Sequence, residues 1–367
     1  MRVSLHAADL HYGGDLVLHT ASSGAVPHLR ELYLRLDDGD QVGVGEVRAN
    51  IGYLNGLSVD EVEKAAVAAI GATDWSEDPA RLLSTMADWA RHHDAPIRML
   101  IDGALHDLVA KRAGSSVMAL LGGSAEPVSP TNQTLFWSSF DDFVARARAY
   151  VERCFLDLKV RVAVGDIEAD IKRIARLRRL FGSRVRIAAD ANGQWRETEA
   201  LENLKRLAEF ELGYVEQPIA AGDWASIERL AQASPVSIML DESVASTADV
   251  ARICELGGKV SAHLKLVKLG GIAPTVESAR RLADAGVPFM IGQMNEGAGA
   301  TAAALHVACV TSPAFAELYG ADGLVDDPIS GVVYVGGAVR SGHGLGLGVE
   351  FDARKAHLLQ EFSNAGS

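Results

Sequence analysis

Ile187-Ala188-Ala189-Asp190-Ala191-Asn192, Tyr214-Val215-Glu216-Gln217-Pro218 and Ile238-Met239-Leu240-Asp241-Glu242-Ser243 share one pattern. Each is a short apolar run closed by a carboxylate. Working outward, Lys159 closes in on the same position one unit upstream and Lys265 one unit downstream. The five charged residues are spaced about 24 to 31 residues apart, the length of one strand–helix unit. The runs themselves are Phe155–Val162, Val185–Ala189, Gly213–Val215, Val236–Leu240, Ala262–Val267 and Val287–Ile291, with amphipathic helical stretches between them. Six such units in succession favour a (β/α) barrel over an open doubly wound sheet, and no GxGxxG follows the first strand. Barrels carry their chemistry at the carboxyl ends of the strands, where these charges fall.

The flanks read differently. Leu32–Leu36, the turn Asp37-Asp38-Gly39-Asp40 and Val42–Glu46 read as strand, tight turn, strand. Helical periodicity follows, with Ser58 and Glu61 spaced as a capping box and a long apolar helix from Pro96 to Ala113, stopped by Gly114. We therefore expect an α+β module over 1–125, a barrel over 126–325, and a Gly-rich C-terminal segment over 326–367 that returns to the first module.

The 367 residues suit a barrel plus a smaller domain, and an apolar share of 48% supports a large core. A net charge of −13 without a basic tract argues against nucleic acid or an anionic membrane as partner. The start, Met1-Arg2-Val3-Ser4-Leu5-His6, lacks an apolar signal core, and no apolar run spans a bilayer. Cys154, Cys254 and Cys309 are widely spaced, which reads as buried reduced thiols rather than a disulfide framework or a zinc site. A cytoplasmic location is the expectation.

Three carboxylates converging at a barrel mouth repel one another unless a cation sits between them. A hard divalent ion with oxygen ligands answers this, and Mg²⁺ keeps positions open for water and substrate. Asp190, Glu216 and Asp241 are the expected metal ligands, with Glu242 as an alternative to Asp241. A lysine beside a cation loses pKa and can take a proton near neutral pH. Coordination of a substrate carboxylate stabilises the enolate left when its α-proton is removed. Lys265 is the expected base, with Lys268 as its rival; a strand would point Lys268 away from the face of Lys265.

At these residues the chain resembles the enolase superfamily, within it the muconate lactonizing enzyme and mandelate racemase group. Ile101–Asp107 with Leu120-Leu121-Gly122-Gly123 resembles that group's helix and linker signature. Asp190–Trp195, Glu216-Gln217-Pro218, Asp241-Glu242-Ser243 and Leu264–Gly271 resemble its ligand and base motifs. Gly292–Glu296 with Ala303–His306 resembles its seventh-strand segment, and Gly344–Gly348 its tail. The resemblance implies a modified (β/α)₇β TIM-type barrel, an N-terminal α+β capping domain completed by the C-terminal segment, one Mg²⁺ per subunit with Mn²⁺ as substitute, and a homo-oligomer. It gives Lys265 the sixth-strand base role and Glu296 a counterpart in the muconate lactonizing subgroup. It also makes capping loops near His19–His28 and Arg48–Tyr53 the readers of a small carboxylate substrate. His19, His28, Arg48 and Tyr53 are candidates there; Asn192, Lys268 and Asp322 are further candidate substrate contacts.

One departure bears on the reaction. The group usually carries Lys-x-Lys on the second strand, whereas this chain has Lys159-Val160-Arg161. Arginine is not a practical base but holds a carboxylate well. A one-base reaction, cycloisomerisation or elimination, needs only Lys265. Racemisation or epimerisation needs groups on both faces, which Lys159 would have to supply. A barrel that binds metal and ligand without turnover is the third reading.

Overall fold

The computed structural model describes residues 1–14, 16–124, 126–342 and 344–362. The N-terminal module is an antiparallel sheet of Arg2–Leu10, Leu29–Asp37 and Val42–Arg48. Gly39, with φ 102°, makes the turn between the last two, and its N–H donates to Asp37 Oδ1 at 2.9 Å. The following helix starts at the expected capping box, Ser58 with Glu61.

Helix Ala95–Arg112 lies flat on strand Val42–Arg48 because that strand offers glycine there. A Cβ on Gly45 would sit 2.0 Å from the Leu100 carbonyl oxygen, and one on Gly43 2.5 Å from that of Ala104. The signature acids of this helix tie the modules together. Asp107 accepts from the N–H groups of Val44 and Leu347, and Asp102 accepts from Ile272 N–H at 2.6 Å.

The central sheet is a parallel barrel of eight strands in sequence order: Gln133–Leu135, Asp157–Arg161, Arg186–Asp190, Val215–Glu216, Ile238–Leu240, Val260–Lys265, Phe289–Gly292 and Phe315–Glu317. Asn132 N–H donates to the Ala316 carbonyl at 3.0 Å, drawing the first and eighth strands together. Ala188, Tyr214, Met239 and Met290, with Phe315 against them, fill the floor of the barrel. The charged residues stand above this apolar plug.

Two strands of the barrel, the first and the eighth, were not among the six apolar runs. Neither forms an apolar run: Gln133-Thr134-Leu135 is mostly polar and follows Thr131-Asn132, and Phe315-Ala316-Glu317 has only two apolar residues. The C-terminal segment also divides. Val333–Val335 and Ala338–Arg340 form a hairpin that pairs with Val128–Pro130, not with the capping sheet. His357–Phe362 is the part that completes the capping sheet, pairing antiparallel with Arg2–Leu10. Phe351 helps to seat it by stacking on Tyr33, with ring centroids 5.2 Å apart. The thiols depart from expectation: all three are free, but Cys154 is exposed and Cys254 and Cys309 are only partly buried. Among the described residues, no helix is long and apolar enough to cross a membrane.

Candidate active site

The register of the parallel strands brings the charged residues together. Arg161 pairs with Asp190, Asp190 with Glu216, Lys265 with Gly292, and Gly292 with Glu317. The result is a buried ionic network at the barrel mouth. Lys159, with no exposed surface, donates to Glu216 Oε2 at 3.0 Å, lies 3.4 Å from Asp190 Oδ2 and pairs with Glu317. Arg161 pairs with Asp190 and reaches Asn192 Oδ1 at 3.4 Å. Lys265 donates to Asp241 Oδ2 at 2.7 Å.

Lys268 behaves differently from a strand residue. The strand ends at Lys265, and Leu266–Leu269 is a single helical turn that curls Lys268 back onto the same carboxylate. Its ammonium donates to Asp241 Oδ1 and to the Asp241 carbonyl, both at 2.6 Å, and to the His263 carbonyl at 2.9 Å. All three donors of the ammonium are thus engaged, so Lys268 braces Asp241 rather than meeting a substrate.

The electrostatics follow from burial with pairing. Burial alone would raise the Asp241 carboxyl, but Lys265, Lys268 and His263 hold it well below the ordinary range. Glu317 is likewise pulled down against burial to about 2, chiefly by Lys159. Among the described residues no cation pairs with Glu242; burial and the neighbouring Asp241 push it up to about 8. Burial opposes the charge on Lys265, yet Asp241 holds its ammonium above the usual lysine value.

A cavity of about 240 Å³ opens above this network. The barrel contributes Arg161, Asn192, Asp241, Glu242, Lys265, Glu317 and Tyr319. The capping module covers it with Leu18, Thr20, Ser22, Ser23, Val26, Arg48 and Tyr53, most of them on the hairpin of Leu18–Thr20 and Gly24–Val26. Arg161 and Lys265 therefore face the cavity, while Lys159 lies beneath it. Arg48 is almost wholly buried; it donates through Nε to Asn50 Oδ1 at 2.7 Å and through Nη1 to the Asn295 carbonyl at 3.1 Å.

Two expected site residues stand apart. Glu296 turns away from the cavity and accepts from Met294 N–H at 3.1 Å; burial lifts it to about 7. Asp322 is taken up by Gln133 Nε2 and Arg153, each at 2.7 Å. His19 and His28 also lie outside the cavity lining. Two residues of the network went unread in the sequence. Glu317 follows only two apolar residues, Phe315 and Ala316, so no apolar run flags it. His263 precedes Lys265 by two and so shares its inward face, the one signal that could have found it. Its Nδ1 lies 3.0 Å from Glu216 Oε1 and 3.8 Å from Asp241 Oδ1.

The donor set suits a divalent cation. Glu216, Asp241 and His263 present ligand atoms that all lie within 4.8 Å of one another, and Asp190 adjoins Glu216 on the next strand. Buried carboxylates at this density need a countercharge, which lysines and Arg161 supply here and a hard cation can share.

Comparisons with known proteins agree with this geometry. Residues 142–356 match the family described as enolase C-terminal domain-like. The L-Ala-D/L-Glu epimerase of Bacillus subtilis (strain 168) is 31% identical over 285 residues, covering 74% of this chain and 75% of that protein. The chloromuconate cycloisomerase of Pseudomonas putida is 30% identical, covering 72% of each. Among solved structures, a muconate lactonizing enzyme superposes with a TM-score of 0.84 at 25% identity, covering 97% of this chain and 99% of that one. A dipeptide epimerase from Enterococcus faecalis V583, complexed with Mg and L-Leu-L-Tyr, shares the fold with a TM-score of 0.86 at 24% identity, over 95% of this chain and 99% of that one.

Proposed function

The chain belongs to the enolase C-terminal domain-like family, and from that premise we propose that it removes the proton α to the carboxylate of a small organic acid with Lys265 and completes a one-base reaction, a cycloisomerisation or an elimination. The observation that carries the proposal is the cavity wall. It presents one lysine, Lys265, and across from it Arg161, which has no accessible neutral form near pH 7.

The site would hold one divalent cation per subunit on Asp190, Glu216 and Asp241, with Mg²⁺ the family expectation and Mn²⁺ the substitute. When bound, the cation supplies positive charge against the negative charge that builds on the substrate carboxylate. This chain's residues do the rest. Arg161 donates paired hydrogen bonds to a carboxylate and fixes its plane. Asn192 and Tyr53 line the same cavity and orient the substrate. Lys265 holds the abstracted proton on Nζ and is placed to return it or to pass it to a leaving group. Sharing of Asp241 with a cation would relieve the contact that holds Lys265 protonated. The capping hairpin lines the cavity opposite the barrel residues. A general base of this kind contributes about 10²–10⁴ in rate.

Carboxylic acids incubated with the enzyme in D₂O, followed by NMR, test the reading. Exchange or turnover on one face, lost in Lys265→Ala, is the expected result. Turnover that survives Lys265→Ala refutes it. A second reading, epimerisation with Lys159 as the other base, is favoured by the epimerases among the similar proteins. It would show as deuterium entering both enantiomers. The small-molecule partner, a homo-oligomeric assembly and a cytoplasmic location complete the proposal.

A further inference from the structure

Among the described residues, Glu216, Asp241 and His263 are the only acid, histidine or cysteine side chains that bring three ligand atoms within 4.8 Å of one another. Asp190 stands outside that trio. One of its oxygens is paired with Arg161, and the other accepts Asn192 N–H at 2.9 Å. The position that a second lysine usually occupies thus holds a rigid, permanently charged guanidinium on Asp190. The donor that faces Glu216 and Asp241 instead is an imidazole nitrogen.

The barrel is built around that ring. His263 is fully buried, and its Nε2 has no hydrogen-bond partner. Nε2 abuts Gly292 on the seventh strand, where a Cβ would come within 2.0 Å of it. Glycine at 292 therefore makes the room that lets the ring turn its other nitrogen towards the carboxylates. Lys268 fixes the backbone by donating to the His263 carbonyl. With Nε2 walled off, Nδ1 is the ring nitrogen that faces the two carboxylates, and a cation held between them would lie within its reach.

We infer that His263 supplies Nδ1 as a metal ligand beside Glu216 and Asp241, so that this centre selects a borderline divalent ion of the Mn²⁺ to Zn²⁺ series over Mg²⁺. The inference rests on the metal-dependent reading above and sharpens its cofactor. Mg²⁺ demands oxygen and gains little from imidazole, whereas Co²⁺ and Zn²⁺ accept nitrogen readily and Mn²⁺ does so less strongly. The all-carboxylate set read from the sequence would favour the hard ion.

The test uses the full chain stripped with chelator. Mg²⁺, Mn²⁺ and Co²⁺ are titrated by calorimetry into wild type, His263→Asn and His263→Gln, and the Mn²⁺-loaded wild type is examined by electron spin echo modulation. Expected are ¹⁴N modulation from a directly bound imidazole and a loss of about tenfold or more in Co²⁺ affinity in either variant, with Mg²⁺ affinity within about twofold of wild type. Stoichiometric Mn²⁺ without ¹⁴N coupling overturns the inference, as does an unchanged ratio of Co²⁺ to Mg²⁺ affinity; either leaves the metal-dependent reaction standing on oxygen ligands. Failure of wild type to bind any of the three ions overturns both. If neither variant folds, the wild-type echo spectrum decides alone.

Discussion

Replacing Lys159 by methionine isolates the countercharge that holds the barrel mouth together. Lys159 is fully buried and serves Asp190, Glu216 and Glu317 at once. Methionine keeps the length of the stem and removes the charge. The variant leaves three buried carboxylates with only Arg161 and Lys265 near them, and breaking a buried ion pair from one side costs about 3–5 kcal/mol. The carboxylates respond by taking up protons, so the cost should be largest at high pH. The sign is fixed: acids whose folded pKa is raised lose stability as pH rises from the unfolded value towards the folded one. For a chain of this size the loss corresponds to roughly 4–6 °C in thermal midpoint. The assay is thermal or urea unfolding at pH 5 and pH 8, each with chelator and with a divalent salt. We expect the deficit at pH 8 to exceed that at pH 5, and divalent cation to narrow it. A deficit below about 1 kcal/mol at pH 8, or one that is equal at both pH values and indifferent to the cation, refutes the reasoning.

Other expectations follow from the same geometry. Arg161→Lys places a proton carrier on the second face of the cavity, so isotope exchange should extend from one face to both; exchange that stays on a single face would count against the wall assignment. Gly292→Ala drives a methyl into His263 and should destabilise by about 1–3 kcal/mol while weakening metal binding; equal midpoints and equal affinity would contradict the packing. Glu296 is lifted from 4.5 to about 7 by burial, a penalty that is absent below about pH 4.5, grows through pH 7 and is constant above, about 3 kcal/mol in all. Glu296→Gln should therefore stabilise at pH 8 and be neutral at pH 4.5 in urea unfolding, with turnover retained; loss of turnover at unchanged stability would return Glu296 to the catalytic set.

The sequence by itself determined the barrel and the acids of its mouth. Asp190, Glu216 and Asp241 each close an apolar run, and the regular spacing of such runs is a property of the chain alone. It also determined which side chains share a face, since strand residues two apart point the same way. Depth, however, was invisible. Lys159 and Arg161 are both inward, as are His263 and Lys265, but each pair spans about 6–7 Å along its strand, enough to separate the buried floor from the cavity wall. Which member reaches the wall depends on the tilt and register of neighbouring strands, and only the folded barrel sets these. The eighth strand and its Glu317 are invisible for a different reason: Phe315-Ala316 is too brief an apolar run to signal a strand, and its place follows from the seven strands before it. Lys268 lies on a helical turn rather than a strand, because strand Val260–Lys265 stops two residues before the apolar run Ala262–Val267 ends. The chain alone thus singles out the acids and Lys265, while tertiary register decides that an arginine shares the cavity wall with that lysine and that a histidine lies beneath it.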